Sequence, residues 1–342
     1  MRIVANPHQA AHHAEFEFYR GRRVACFETP SRAEYVLQAV QQAGFTVEAP
    51  LALNASSLLG VHSQRYLDFL QGAWAEWLAS GNEGDAFPCV WPIRGMRSDH
   101  TPHNFAARMG LFSFDTGSPL TAGTWQAARS GADCALTAAH WLTAGERSAF
   151  VLTRPPGHHA GAEFFGGYCF LNNAAIAAQA LRDGGAKRVA ILDVDFHHGN
   201  GTQDIFYRRG DVFFASIHGD PATEYPFFLG HADETGEGAG AGCNLNLPLP
   251  AGTSVAGWFT ALEAALERIG AFKPEALVVS LGVDAFAGDP ISKFQLQTPD
   301  YRHLGERLQG LGLPTLFVLE GGYAVAEIGD NVVAALQGFC GD

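Results

Sequence analysis

From about residue 148 onward, short apolar runs alternate with longer segments whose apolar residues recur at helical spacing. Ser148–Thr153 predicts a strand. Asn172–Leu181 predicts an Ala-rich helix, ended by Gly184 and Gly185. Arg188–Val194 and Val212–Ile217 predict two more strands. Trp258–Ile269 predicts a helix, because Leu262, Ala265, Leu266 and Ile269 form one stripe. Ala276–Val283 and Thr315–Leu319 predict strands, and Val332–Leu336 a closing helix. Continuous apolar strands separated by helices indicate an α/β fold with a parallel sheet covered on both faces. Upstream, Arg2–Ala5 adds a short strand and Arg32–Ala43 a helix. No break follows, so residues 1–342 read as one domain. Gly81–Gly123 differs: it is rich in Gly, Pro and polar residues and has no sustained period. A loop of that length in a compact domain belongs to function or to an interface.

Composition sharpens this picture. Only 17% of the 342 residues are charged, against about a quarter in an average chain, so much of the chain is expected to be buried. The net charge of −13 disfavours nucleic acid and favours small cations as partners. Met1-Arg2-Ile3-Val4 precedes no long apolar run, so no signal peptide is expected. No apolar stretch nears the roughly 18 residues of a membrane span. Cys26, Cys89, Cys134, Cys169, Cys243 and Cys340 are scattered, with no Cys-x-x-Cys pair. A disulfide framework or cysteine-based zinc site is not expected, and the cytoplasm fits best.

Candidate chemistry gathers where the strands end. Ligands of open parallel sheets bind beyond the carboxyl ends of the strands. The strand near 150 runs into Arg154-Pro-Pro-Gly-His158-His159, and that near 190 into Asp193-Val-Asp195-Phe-His197-His198-Gly-Asn200. The strand near 280 ends at Asp284, and that near 317 in Glu320-Gly321-Gly322-Tyr323. In an extended segment, the spacing of Asp193, Asp195 and His197 puts all three on one face. Asp195, His197 and Asp284 would form a three-ligand site with an open position, the pattern of a catalytic zinc. Two carboxylates make that site hard enough for Fe2+ to compete. Of the His158–His159 pair, one can carry a proton between water and a leaving amine while the other stays charged. Asp193 and Asn200 are candidate partners for their second ring nitrogens. Tyr323, after two glycines, can donate a hydrogen bond to a developing oxyanion. The remaining histidines read as structural or surface residues, although His100 and His103 could line the mouth.

Together with Gly166-Gly167-Tyr168-Cys169, these motifs resemble the arginase–deacetylase superfamily, and within it the acetylpolyamine amidohydrolases and class II histone deacetylase-like proteins. The resemblance implies a three-layer α/β/α fold around an eight-stranded parallel sheet. It implies zinc at Asp195, His197 and Asp284, with His159 the likelier proton carrier of the pair and Tyr323 polarising the carbonyl. Tyr168 and Tyr225 match the aromatic walls of a narrow tunnel, with Gly167, Gly321 and Gly322 beside the substrate. Asn200 stands where many histone deacetylases carry Asp. Asp193, Asp195, His197, Ser216 and Ile217 match one K+ or Na+ site, and Phe206, Arg209 and Val212 part of a second. The 81–123 loop resembles an insertion through which such enzymes form homodimers. Its acidic residues, Asp99 and Asp115, are candidates for holding a distal ammonium. Gly117 and Ala106 stand where further acids are expected. That favours a short acetylated diamine, such as acetylputrescine or acetylcadaverine, as substrate. The alternatives are a protein lysine deacetylase, a two-manganese arginase-like hydrolase and a non-catalytic acetyl-ligand binder.

Overall fold

The computed structural model describes residues 1–54 and 56–341. In chain order its strands are β1 (Arg2–Ala5), β2 (Glu17–Tyr19), β3 (Arg22–Val24), β4 (Val47–Glu48), β5 (Ser148–Leu152), β6 (Val189–Asp193), β7 (Val212–Gly219), β8 (Asn244–Leu249), β9 (Ala276–Leu281) and β10 (Thr315–Leu319). The α-helices are α1 (Pro30–Gln42), α2 (Gln64–Ala79), α3 (Phe105–Leu111), α4 (Thr124–Thr143), α5 (Asn173–Asp183), α6 (Asn200–Phe206), α7 (Val255–Phe272), α8 (Thr298–Gln309) and α9 (Ile328–Cys340). Eight strands form one sheet in the order β4-β1-β5-β10-β9-β6-β7-β8, and every neighbouring pair is parallel. β2 and β3 form a separate antiparallel hairpin.

The unbroken apolar runs have a simple cause. Alternate residues of each central strand feed opposite cores. In β5, Ala149 and Val151 pack on one side, and Phe150 and Leu152 on the other. β6 does the same with Ile191 and Leu192, and β10 with Val318 and Phe317. Helices α2, α4 and α5 cover the first side; α1, α7, α8 and α9 cover the second. The result is the expected three layers. No helix among the described residues is long and apolar enough to cross a membrane.

Three elements depart from simple periodicity. Most of the 20 residues of α4 are buried, many of them Ala, so no polar stripe marks it. β8 inverts the usual pattern: Asn244 and Asn246 are buried while Leu245 and Leu247 are only partly so. The 81–123 segment is largely irregular, as expected, but contains α3. It is tied to itself by an Ala86–Leu120 bridge and to the tyrosine turn by a Ser113–Phe165 bridge.

Candidate active site

The four strands that carry the candidate residues, β5, β10, β9 and β6, lie side by side in the middle of the sheet. Their carboxyl ends therefore deliver His158–His159, Tyr323, Asp284 and Asp195–His197 to one place. At its floor, His197 Nδ1 and a carboxylate oxygen from each of Asp195 and Asp284 lie within 4.8 Å of one another. His197 Nδ1 is 3.0 Å from Asp284 Oδ2 and 3.3 Å from Asp195 Oδ1.

Backbone groups aim these carboxylates. Asp195 accepts from Gly321 N at 2.8 Å and from His197 N at 2.9 Å. Asp284 accepts from Phe196 N at 2.7 Å. A Cβ on Gly321 would lie 2.6 Å from Asp195 Oδ2, and one on Gly282 would run into the same side chain. Glycine is required there so that the chain can pass behind the carboxylate. Burial and then the charge of Asp195 push Asp284 up to about 8. A buried carboxylate pair of this kind, with one imidazole and an open side, fits a divalent metal.

Asp193 is not part of the cluster formed by Asp195, His197 and Asp284. β6 ends at Asp193, so the alternation of an extended strand does not continue past it. The chain turns instead, with Asp195 N donating to Asp193 Oδ1 at 3.1 Å. The other oxygen of Asp193 accepts from His158 Nδ1 at 2.9 Å. Burial opposes a charge on His158, but Asp193 and then Asp195 outweigh it and hold the ring well above the usual imidazole range. His159 is the reverse. Burial, then His158 and His197, keep it well below that range. Its Nδ1 donates to Asn200 Oδ1 at 2.6 Å, which leaves Nε2 as the free acceptor. Of the two, His159 lines the cavity.

That cavity holds about 320 Å³ and is walled by Tyr168, Tyr225, Phe18, Tyr19, Phe227 and Ile291. Tyr168 stands on a two-residue turn, with Gly166 N and Cys169 O at 3.1 Å and the reciprocal pair at 2.9 Å. Both central residues have positive φ, +55° at Gly167 and +67° at Tyr168, a tight hairpin geometry that is strained for a tyrosine. Two bonds offset the strain. Gly167 N donates to Asp115 at 2.7 Å and Tyr168 N to Ser118 Oγ at 2.8 Å. A Cβ on Gly167 would strike the His159 ring.

Several expected residues take other places. Asp115 lines the cavity, but its carboxylate already accepts from Gly167 N, Gly117 N and the Tyr225 hydroxyl, the last at 2.6 Å. It fixes the tunnel wall. Gly321 and Gly322 lie behind the metal cluster rather than along the cavity. Gly321 N serves Asp195, and Gly322 O accepts from Arg32 Nε at 2.6 Å. Asp99 pairs with Arg97 on the surface, and His100 and His103 do not line the cavity. Of the residues matched to cation sites, Ser216 lies in register with Asp193 across β6 and β7, followed by Ile217. Phe206, Arg209 and Val212 lie around the turn from α6 into β7, where Arg209 N donates to Phe206 O at 2.9 Å.

Other residues of the site were not anticipated. Arg32, fully buried, donates to Glu28, Gly322 O and Glu320 O, and its guanidinium lies 4.8 Å from the Tyr323 ring centre. Glu28 also grips Arg154 through two bonds, at 2.7 and 2.6 Å. Burial opposes its charge, but Arg154 outweighs this and holds the carboxyl down to about 2. Asp289 accepts from Tyr323 N at 2.7 Å and from Ile291 N at 3.0 Å. Glu17 accepts from the Tyr168 hydroxyl at 2.7 Å. The spacing of Glu28 and Arg32, four residues apart, was a sequence signal for their pairing; Arg154, Tyr168 and Tyr323, the partners of Glu28, Glu17 and Asp289, are remote along the chain.

A parallel α/β sheet whose central strands bring two Asp, three His and a Tyr together at one edge defines the class. The chain belongs to the histone deacetylase family, whose domain matches residues 26–339, and it is a hydrolase of that family. It is 57% identical to acetylpolyamine amidohydrolase 1 of Pseudomonas aeruginosa, over 96% of either chain. It is 51% identical to the acetylpolyamine amidohydrolase of Mycoplana ramosa, over 100% of both. The crystal structure of acetylpolyamine aminohydrolase from Burkholderia pseudomallei superposes with a TM-score of 0.94 at 39% identity, covering 99% of this chain and 98% of that one.

Proposed function

We propose that this chain is a metal-dependent amidohydrolase that removes acetyl groups from small N-acetylated polyamines and diamines, with acetylputrescine and acetylcadaverine as preferred substrates. One observation carries this function. One aromatic-walled cavity is lined by His197 of a buried three-ligand cluster, by an imidazole with a free acceptor nitrogen and by a phenol that makes no hydrogen bond among the described residues. The relatives named for acetylpolyamine hydrolysis support the substrate class.

Asp195, His197 and Asp284 would hold Zn2+, with Fe2+ the alternative. When bound, the metal supplies a Lewis acid for the acetyl carbonyl and acidifies water. The residues do the rest. His159, neutral and oriented by Asn200, accepts the proton of the attacking water and returns it to the leaving amine. His158, kept charged by Asp193, stabilises the negative charge that develops. Tyr323 donates its phenolic hydrogen to the oxyanion. Tyr168 and Tyr225 flank the alkyl chain and exclude water. Asp193, Asp195, His197, Ser216 and Ile217 would hold one K+ or Na+, and Phe206, Arg209 and Val212 part of a second, mostly through carbonyls. The cysteines form no disulfide among the described residues, and the cytoplasm is the compartment proposed for the enzyme. The 81–123 loop exposes Val90, Ile93 and Met96, which suits a homodimer contact.

Acetate release from acetylputrescine tests this function. The purified protein is expected to release acetate, to stop after chelation and dialysis, and to recover on addition of Zn2+ or Fe2+. Turnover that survives complete metal removal would overturn it.

A further inference from the structure

The tunnel is lined by two carboxylates, Asp115 and Glu224, and they are not equivalent. Asp115 is occupied by its backbone donors and the Tyr225 hydroxyl. Glu224 is only 3% exposed and directly precedes the wall residue Tyr225. Its Oε1 meets Lys293 Nζ. Among the described residues, no hydrogen bond reaches its other oxygen. Lys293 comes from the segment between β9 and α8, which also brings Ile291 to the tunnel. Its side chain is 43% exposed, so it reaches the carboxylate from solvent on a flexible stem.

A buried carboxylate is costly unless a cation stays beside it. An ammonium is an ammonium, whether it ends a lysine or a diamine: one compact positive charge with three donors. Exchanging one for the other at Glu224 keeps a cation beside the buried carboxylate and frees Lys293 into water. A neutral chain end cannot make that exchange, because it would strand the carboxylate. Asp115 offers no such vacancy, since a ligand there would have to break the bonds that hold the tunnel wall.

We propose that Glu224 binds the distal ammonium of the substrate, which displaces Lys293, and that Lys293 is its resting counter-ion. This rests on the small-amine deacetylase function above. It makes Glu224 and Lys293 a specificity pair: Glu224 selects charged chain ends, and Lys293 sets how tightly they must bind to enter.

The test compares acetylputrescine with N-pentylacetamide, which replaces the ammonium by a methyl group, in wild type, Glu224→Gln and Lys293→Met. The quantity read is the ratio of kcat/KM for the charged over the neutral amide. In Glu224→Gln that ratio is expected to fall on the order of tenfold through KM, the scale of one charge-assisted hydrogen bond. In Lys293→Met the KM for acetylputrescine is expected to fall several-fold. A ratio unchanged in Glu224→Gln overturns the proposal, as does a KM unchanged or raised in Lys293→Met. Should Glu224→Gln fail to fold, the lysine variant alone decides. If wild type hydrolyses neither amide, the deacetylase function fails. Calorimetric binding of putrescine, weaker in Glu224→Gln and tighter in Lys293→Met, then still decides the role of Glu224.

Discussion

The Tyr323→Phe variant is expected to fold like wild type and to lose about 100–1000-fold in kcat on acetylputrescine, or about 2.7–4 kcal/mol of transition-state stabilisation. That is the measured scale of removing one oxyanion donor. The backbone of Tyr323 is held by Asp289, and its ring lies against Arg32 and Tyr168; phenylalanine keeps all of these contacts. Its hydroxyl makes no hydrogen bond to protein among the described residues, so the fold loses nothing with it. Burial holds the phenol well above its ordinary range, so it stays protonated and can donate. Because the bond forms as charge develops, kcat should fall with little change in KM. Near-normal turnover would remove Tyr323 from the chemistry. A melting temperature several degrees lower would show that the ring, not the hydroxyl, had been disturbed.

Asp284→Asn should have the second large effect, and in two directions. Activity and bound metal should fall together, beyond the roughly 10–100-fold cost of losing an outer partner of a metal ligand. The metal-free protein, by contrast, should be no less stable than metal-free wild type. The sign follows from linkage. The carboxyl of Asp284 is raised to about 8 by burial and by Asp195, so its ionised form is disfavoured in the folded chain. That destabilisation is absent below the ordinary carboxylate pKa, grows as pH rises, and is complete above about 8. Asparagine removes the charge and can still accept from Phe196 N. Metal content by elemental analysis and thermal unfolding in chelator read the two effects separately. Retained stoichiometric metal would take Asp284 out of the ligand set.

Much of this architecture was legible in the sequence, for identifiable reasons. Central strands covered on both faces must be apolar throughout, so β5, β6, β9 and β10 stand out. Polar residues then mark where each strand ends, which brings His158, Asp195, Asp284 and Tyr323 to one edge. What stayed hidden depends on the path of the chain after those ends. β6 stops at Asp193 and the chain turns there, which no periodicity reports, although Asp193 and Asn200 could be named as partners of the histidine pair. Gly321 and Gly322 could be recognised as close-approach positions, but not that the approaching groups are Asp195 and Arg32 rather than substrate. Glu28 and Arg32 are four residues apart, but their contacts to Arg154 and Gly322, like those of Asp289 to Tyr323 and of Glu17 to Tyr168, lie far along the chain. Asp115 read as an ammonium ligand because its acidity was visible and its three donors were not. β8 escaped because it buries its asparagines.

The most direct test of the account is a parallel hydrolysis assay on the metal-loaded enzyme. It would offer acetylputrescine, acetylcadaverine, acetylspermidine and an acetyl-lysine peptide at equal concentration. The tunnel of about 320 Å³, walled by Tyr168 and Tyr225, predicts rapid release of acetate from the two short diamines, slower release from acetylspermidine and none from the peptide. Peptide turnover equal to or faster than that of the diamines would contradict the account and make the chain a protein deacetylase.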